Sequence, residues 1–533
     1  MSFSAIIYDR DLTNPRPLNY SFKLYPNRYS YRAVGGPRDA SVSVRGSVED
    51  MVSLVHYLRC PIQIFDGRGE PVWWGYVFSA EIRYGAKQVN VSLGTMSNVV
   101  AVAYIAQAQG QQTGNRRETT GYAHDHDSMA IYGNKDKLYS QAVMTMEAAE
   151  KLRDYLLETR SYPTLAVTSG ESEGGSMSAL LLCKGWFGTL NWWHYKQLAG
   201  FEGHITGSGY KMVGGMGSEY GRYTSTANQS FKTEAVDPWE VLSVELRLGK
   251  SKEGDLVTPA TVGVADRYYL EIQEGPPWSK NILTRSPSYE TNELDRSMEW
   301  VPLEVDPQIT IQPGVVYSWT LHRSLMSGVG WIWIAGDTSL GYENGESWQG
   351  IGVKEEDYDA YEPPIDFQFK ILGTRETSVQ IADLLDVCGQ FINDYDLTPA
   401  SSGIWTSNYR NGDNTGLYYL RDLLDIGIAG GSRYLAELTA ERVLLMYEEP
   451  SEVQYWIDEQ DNWWSLLNMP VPKSLCPAGV WVEFKDMPPS IHGNDIFDPR
   501  KYFIEEADYD IDKDIIMLTP RGAVNAFETV EFS

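Results

Sequence analysis

The sequence predicts a mainly β protein with α+β parts, in which small β-barrel domains are interrupted by an inserted β-sandwich. Short stretches rich in β-branched and aromatic residues recur along most of the 533 residues, with Gly, Pro, Asn and Asp between them. One Trp-rich set of these stretches, between residues 238 and 373, lies inside what otherwise reads as a continuous protein. Its predicted strands have the lengths and turn spacing of a β-sandwich: 239–248, 268–273, 315–322 and 330–336. Because folded modules are tolerated as inserts at surface loops, the chain divides into a carrier and a contact module.

Residues 1–105 predict a β-barrel or half-open sheet with one helix. Ser47 can cap the helix, and Asp50 stands three residues later, as in a capping box. Met51, Leu54 and Leu58 then follow at helical spacing. The predicted strands come next, with turn residues between them: 62–65, 72–77, 81–84 and 89–93.

Later segments of the carrier predict a mixture of helices and strands. Residues 106–135 are polar and rich in turn formers, which is typical of a long loop or linker. Apolar residues at helical spacing predict helices at 145–159, 378–391 and 417–428. A β-hairpin is predicted from 434 to 447.

The charge balance argues against two classes of partner. Lys plus Arg is 44 and Asp plus Glu is 72, so the formal net charge is 44 − 72 = −28. A chain of this charge is poorly suited to neutralise nucleic-acid phosphates. It is equally unsuited to dock on an anionic bilayer. We therefore expect an acidic, solvated surface.

The cysteine pattern and the apolar runs indicate a reducing compartment and no membrane insertion. The four cysteines are far apart and form no C-x-x-C pair, so neither a zinc site nor a disulfide framework is indicated. The first residues lack the basic and apolar regions of a secretory signal. No apolar run approaches the roughly 18 residues of a membrane span. We expect synthesis in a reducing cytoplasm, where the protein stays or from which it leaves by lysis or within a particle.

Four parts of the carrier together carry a family resemblance. They are LRCPIQIFDG (58–67) with VWWGY (72–76), SMAIYG (128–133) before a helix, CKGWFGTLNW (183–192), and SVQIA (378–382) with YRNGD (409–413) and LLDIG (423–427). In this order and spacing, the chain resembles the central hub proteins of phage tail tips and baseplates, which also cap the tail tube. None of these stretches is a catalytic signature.

The resemblance implies a structural protein of the virion tail that is assembled in the host cytoplasm. It implies a homotrimeric ring that closes the tail tube, without enzymatic activity and without a cofactor. Its expected partners are tail tube or distal tail proteins and tail-tip or fibre proteins, and DNA would pass without specific binding. The implied domains are an N-terminal β-barrel hub domain at 1–125, the first part of a second hub domain at 126–225, the insert at 226–373, and the rest of the hub domain with a C-terminal α+β region at 374–533.

The insert itself resembles the jelly-roll modules found on many tail and fibre proteins. The stretches LRLGK (246–250), WTLH (319–322) and GDTSLGY (336–342) carry this second resemblance. It implies an exposed jelly-roll β-sandwich that acts like a carbohydrate-binding module or contacts a receptor or a neighbouring protein.

Aromatic residues near the end of the insert are the candidate contact residues. Trp331 and Trp333 would share one face of a strand, and Tyr342 and Trp348 follow nearby. Exposed rings of this kind can stack on sugar faces or on a protein partner. Buried rings would instead belong to the sandwich core. Since both faces of the strand are apolar, the sequence leaves the two interpretations open.

A short His/Asp cluster is the one candidate for metal binding. In the run YAHDHD (122–127), His124 and His126 would lie on one face of an extended segment. A tetrahedral site needs further ligands that the motif does not supply. We therefore predict no metal site and interpret the cluster, which the hub resemblance does not include, as a solvated loop.

The alternative function is a glycan-active enzyme, such as a glycoside hydrolase, with the sandwich as an appended carbohydrate-binding module. Carboxylates are frequent at 343–359, but a hydrolase pair requires a defined separation in a cleft. The G-x-S-x-G match at 170–174 lacks a following helix, so we interpret it as a polar loop. We expect His194, between Trp193 and Tyr195, to be hydrogen-bonded within a β region rather than to act as a base.

Overall fold

The computed structural model divides the chain into two compact units. It describes residues 3–106, 117–169, 177–196, 201–204, 209–213, 226–233, 238–249, 267–290, 293–294, 298–324, 332–337, 345–350, 358–360, 365–398, 405–407, 411–427, 432–485 and 501–521. Unit 1 comprises Met1–Tyr195, Ile381–Ser402 and Asp413–Ser533, and unit 2 comprises Lys196–Gln380 and Gly403–Gly412. The second unit starts before and ends after the insert expected at 226–373, and the segments on both sides of it form one unit.

The helices and strands follow one another in three groups. The first group is β1 (Ser4–Ile7), β2 (Lys23–Arg32), β3 (Gly36–Arg45), α1 (Val48–Ser53), β4 (Pro61–Phe65), β5 (Pro71–Tyr84), β6 (Lys87–Ser92), β7 (Val99–Ala106), β8 (Arg117–Thr119), β9 (Ala123–His124), α2 (His126–Tyr132), β10 (Asp136–Met144), α3 (Met146–Arg160), β11 (Thr164–Ser169), β12 (Met177–Lys184) and β13 (His194–Lys196). The second is β14 (Phe201–His204), β15 (Gly209–Val213), β16 (Thr226–Lys232), β17 (Trp239–Gly249), β18 (Arg267–Glu274), β19 (Asn281–Arg285), β20 (Tyr289–Glu290), β21 (Glu299–Glu304), β22 (Thr310–Ile311), β23 (Val316–Ser324), β24 (Ile332–Asp337), β25 (Ser347–Gly350), β26 (Tyr358–Ala360), β27 (Asp366–Phe367) and β28 (Phe369–Glu376). The third is α4 (Thr377–Cys388), β29 (Asp394–Asp396), β30 (Trp405–Ser407), β31 (Asn411–Thr415), α5 (Gly416–Ile426), β32 (Tyr434–Leu438), β33 (Val443–Glu448), β34 (Val453–Ile457), β35 (Trp463–Ser465), β36 (Pro470–Val471), β37 (Trp481–Phe484), β38 (Lys501–Asp510) and β39 (Ile515–Pro520).

Helix α1 starts at the capping box that the sequence predicted. The amide of Asp50 donates to the Ser47 hydroxyl at 3.2 Å, and the Asp50 carboxylate accepts from the Ser47 amide at 2.7 Å. These two bonds satisfy groups that a helix start otherwise leaves without a partner. Met51, Leu54 and Leu58 are buried, and a 3-10 turn at Leu54–Tyr57 ends the helical segment.

Unit 1 is built on one 14-stranded sheet that curls into a half-barrel. The strand order is β1-β4-β5-β12-β3-β2-β38-β37-β34-β35-β36, with β6 beside β5, β11 beside β6 and β39 beside β38. Strands β2 and β38 are antiparallel neighbours, so the beginning and the end of the chain share one sheet. The indole nitrogen of Trp74 also donates to the carbonyl of Leu438 at 2.7 Å. The flanks of unit 2 therefore close on one core.

Helices cover parts of the unit 1 core at the positions where the sequence predicted them. On α4, Leu384 and Leu385 are buried, and on α5, Leu423 and Leu424 are buried. Helix α3 packs on β7, where Ala149 is fully buried. No helix in the described part of the chain has both the length and the apolarity needed to cross a bilayer.

Unit 2 is a two-sheet sandwich. A nine-stranded sheet contains β15-β24-β17 with β21 beside β17, and a seven-stranded sheet contains β19-β18-β23-β16-β25. The orders β15-β24-β17-β21 and β16-β23-β18-β19 are those of a jelly roll. Side chains from both sheets fill one core, including Trp239, Trp319 and Phe369. The mainly β fold class predicted from the sequence is thus confirmed.

Candidate functional site

One face of the seven-stranded sheet in unit 2 is lined by polar side chains. On β18, Tyr268, Leu270 and Ile272 point into the sandwich core. Strand alternation therefore turns the residues between them to the outer face. The same alternation on β16 and β23 completes a set that we call the polar face: Asn228, Tyr269, Glu271, Gln273, Ser318, Thr320 and His322.

Sheet register places five side chains of this region in a single row across five strands. Trp348 on β25 pairs with Asn228, which pairs with Thr320 on β23. Thr320 pairs with Glu271 on β18, which pairs with Arg285 on β19. The row presents an indole at one end and a guanidinium at the other. It therefore combines a flat apolar surface with hydrogen-bonding groups.

Hydrogen bonds hold the polar side chains in fixed positions. The Thr320 hydroxyl donates to the Asn228 side-chain oxygen at 2.7 Å, although both residues are buried. The Gln273 amide nitrogen donates to the Ser318 hydroxyl at 3.1 Å. Since buried polar groups cost stability unless they are bonded, these pairs offset the cost of burying the polar face.

Glu271 is the electrostatic centre of the polar face. Its carboxylate lies 2.8 Å from His322 Nε2, and it also forms an ion pair with Arg285. Burial favours the neutral carboxyl, but the hydrogen bonds and charges of His322 and Arg285 outweigh it and lower the pKa of Glu271. The carboxylate is therefore ionised at neutral pH.

Aromatic rings lie at both ends of the polar face. The Tyr269 ring stacks on the His322 ring with centroids 4.8 Å apart, and the Arg285 guanidinium lies 5.2 Å from the centre of the Tyr269 ring. At the other end, Trp278 and Trp348 meet edge to face at 5.3 Å. Rings and polar groups in this combination suit a ligand that presents both C–H faces and hydroxyl groups.

The aromatic residues proposed from the sequence do not all belong to this surface. Trp348 lies at the polar face. Trp333 lies on β24 of the other sheet, where Ile332 and Ile334 point into the core and Trp333 is partly buried on the outer side. The core position considered for Trp333 is therefore occupied by the isoleucines. Trp331 and Tyr342 lie outside the described residues.

Sequence reasoning proposed none of the seven residues of the polar face, and it also missed Arg285, which ends the row on β19. The signal was present as polar residues at every second position of 268–273 and 317–322. Reading that alternation as one continuous outer surface requires the register between β18 and β23, which only the fold supplies.

The His/Asp cluster lies at the start of α2. His124 ends β9 and His126 begins α2, and their exposed rings are 6.0 Å apart. Asp125 caps the helix by accepting from the Ser128 amide at 3.0 Å. In the described ranges, no group of three or more His, Cys, Asp or Glu side chains is placed to hold a metal ion.

His194 is held by a buried carboxylate, which confirms that it is hydrogen-bonded within a β region. Its Nδ1 lies 2.7 Å from Asp136 Oδ1, and its backbone amide donates to Asp136 Oδ2 at 2.9 Å. The histidine borders an open groove together with Asn191, Thr415 and Arg421. The G-x-S-x-G motif at 170–174 lies outside the described residues.

Comparisons with known proteins assign no family to the chain. No protein-family model and no curated protein matches it. Among solved structures, infectious bursal virus-derived T=1 particles match with a TM-score of 0.16 and 9% identity over 66% of this chain and 73% of that one. A Bacillus thuringiensis Cry1Da tryptic core variant matches with a TM-score of 0.14 and 10% identity over 60% of this chain and 52% of that one.

Proposed function

We propose that this chain is a structural hub protein of a phage tail tip or baseplate that assembles as a ring and closes the tail tube. In this proposal, unit 1 is the assembling body and unit 2 is an accessory contact module. One observation carries the proposal: a jelly roll is inserted into a β body whose two flanks share a sheet through β2 and β38. An insert of this kind adds a contact surface without dividing the body that assembles.

The expected partners follow from this division of roles. Unit 1 would contact further copies, as a homotrimer, and the tail tube or distal tail proteins. Tail-tip or fibre proteins would bind at its outer surfaces. The formal charge of −28 would let DNA pass the ring without binding, because like charges repel.

The polar face supports a glycan as the ligand of unit 2. A sugar offers hydroxyl groups to the guanidinium of Arg285, whose side chain is 56% exposed, and it offers C–H faces to rings such as Tyr269 and Trp348. Glycoside hydrolysis would require two carboxylates flanking the scissile bond. Among the seven residues of the polar face, Glu271 is the one carboxylate. The face therefore favours binding of a glycan over its hydrolysis.

The mass of the full-length protein in solution tests the hub proposal. Light scattering after gel filtration, followed by negative-stain microscopy, should give a homotrimeric ring. The same sample mixed with a purified tail tube protein should give a complex of higher mass. A protein that stays monomeric at every concentration and in the presence of the tube protein would contradict the proposal.

A further inference from the structure

Strand β11 is an exposed edge of the unit 1 sheet. It pairs with β6 along its whole length, and no described strand pairs with its other side. Leu165 lies opposite Val91, which is only 8% exposed, whereas Leu165 itself is 65% exposed. Val167 is 59% exposed on the same face. The apolar face of the sheet therefore continues beyond the core that unit 1 covers.

Strand β39 is a second exposed edge of the same sheet. It pairs with β38, and among the described strands it has no other neighbour. Ile516 and Leu518 pack on the unit 1 core. Ile515, which precedes them, is 49% exposed, and Met517, which lies between them, is 58% exposed.

Over most of their length, both edges lack the features that keep edge strands from associating; on β39 such features are confined to its last residue, Pro520, and the register shift beside it. Natural sheets usually block an exposed edge with charged residues, proline or a bulge. The sequences of β11 and β39, TLAVTS and IIMLTP, contain no charged residue, and the single proline stands at the last position of β39. Uncharged strands of this kind are sites of strand pairing between chains.

The turns beside the two edges carry opposite charges. Residues 83–88, at the turn from β5 to β6, contain Arg83 and Lys87 and no acidic residue; Arg83 also lies 3.8 Å from the carboxylate of Glu81 on β5. Lys87 pairs with Ser169, so this basic turn lies at the C-terminal end of β11. Residues 508–514, at the end of β38 and in the turn to β39, contain four Asp and one Lys, and they lie at the N-terminal end of β39.

We propose that β11 of one copy pairs antiparallel with β39 of a second copy of this chain. Only the antiparallel direction brings the C-terminal end of β11 beside the N-terminal end of β39, and so places the basic turn against the acidic turn. Because two different edges meet, the contact is heterologous and can close into a ring. The inference rests on the proposed hub function in one respect, since a hub assembles from copies of itself.

Crosslinking between full-length variants tests the contact. The four native cysteines are buried, so an introduced cysteine is the reactive thiol at the surface. Ala166→Cys and Thr168→Cys, exposed on the same sheet face as Ile515 and Met517, are each mixed with Ile515→Cys and Met517→Cys and treated with a short bismaleimide, which covers neighbouring registers. At least one mixture should form covalent dimers that neither variant forms alone. Val52→Cys, exposed on α1, measures random crosslinking.

Two results would overturn the contact. One is crosslinking that occurs only between identical variants. The other is a dimer yield in all four mixtures that does not exceed the Val52→Cys control. If light scattering still shows an oligomer, this interface is wrong and the hub proposal survives. If it shows only monomer, both fail.

Charge reversal gives an independent measurement. Lys87→Glu and Asp512→Lys should each weaken self-association about tenfold, because each places like charges across the contact. The double variant should recover association, since it exchanges the two charges. Equal weakening in the double variant would overturn the proposed pairing direction.

Discussion

Arg32 on β2 and Glu506 on β38 lie opposite each other and form an ion pair, although 474 residues separate them in the chain. The Arg32 Nε donates to the Glu506 carboxylate at 2.7 Å. Arg38 binds the other oxygen of the same carboxylate. Two neighbouring arginines from the start of the chain thus hold one glutamate from its end. The pair marks the place where the two flanks of unit 2 become one sheet.

Tyr29 tests the packing of this junction. It is 1% exposed, its hydroxyl donates to the carbonyl of Ser474, and its ring lies 5.4 Å from the Tyr509 ring. Tyr29→Ala should lower the free energy of unfolding by about 3–5 kcal/mol, and Tyr29→Phe by about 1 kcal/mol. Denaturant titration followed by a signal from unit 1 measures both. Tyr155→Ala, at a residue 61% exposed, is the control and should change stability by less than about 0.5 kcal/mol.

Gly185 and Gly188 provide a matched pair of substitutions. A Cβ on Gly185 would lie 1.8 Å from the carbonyl oxygen of Pro37, which is backbone and cannot move aside. A Cβ on Gly188 would meet no atom within 4 Å. Gly185→Ala should therefore destabilise the protein by about 1–3 kcal/mol, and Gly188→Ala should leave the melting temperature nearly unchanged. Equal effects of the two variants would show that β3 and the Gly185 turn are not in close contact.

The proposed glycan ligand predicts which aromatic residues matter. Tyr269→Ala and Trp348→Ala should each weaken binding about tenfold, because each removes a ring from the polar face. Trp333→Ala, on the opposite sheet, should bind as the unchanged protein does. A glycan array identifies a ligand, and calorimetry with the full-length variants measures the affinities. If the three variants lose affinity equally, the ligand does not bind at the polar face.

The pH dependence of stability reports on Glu271. Its pKa is lowered in the folded state, since His322 and Arg285 outweigh the effect of burial. The ionised carboxylate therefore stabilises the fold above its unfolded pKa of about 4.3, and this contribution disappears as the pH falls through the lower folded value.

Glu271→Gln should accordingly cost about 1–3 kcal/mol at pH 7 and distinctly less at pH 3. Thermal unfolding of the unit 2 transition at both pH values measures the difference. A cost that is the same at pH 7 and pH 3 would mean that the carboxylate charge does not contribute.

Much of the local structure could be predicted because its signals lie close together in the sequence. The capping box at Ser47 and Asp50 spans four residues, and α4 and α5 each show an apolar stripe within one segment. Alternation over 317–322 similarly identified a strand of the sandwich. In each case the residues that determine the element are neighbours.

Long-range pairing could not be predicted in the same way. Nothing in the segment around Arg32 indicates that its partner is Glu506, because the pairing depends on the whole unit 1 sheet. The polar face also depends on pairing, since Asn228, Thr320 and Glu271 come from three separate strands. The sequence therefore proposed Trp348 from its residue type and did not point to the polar residues that share its row.

Cleavage at the junction between the first flank and unit 2 tests most directly whether both flanks form one body. A protease site replaces residues 197–200, and the cleaved full-length protein is passed over a gel-filtration column without denaturant. If the flanks form one body, the fragment containing β2 elutes together with the fragment containing β38 and separates from it only in denaturant. Release of two independently folded fragments under native conditions would show that the flanks do not form one body.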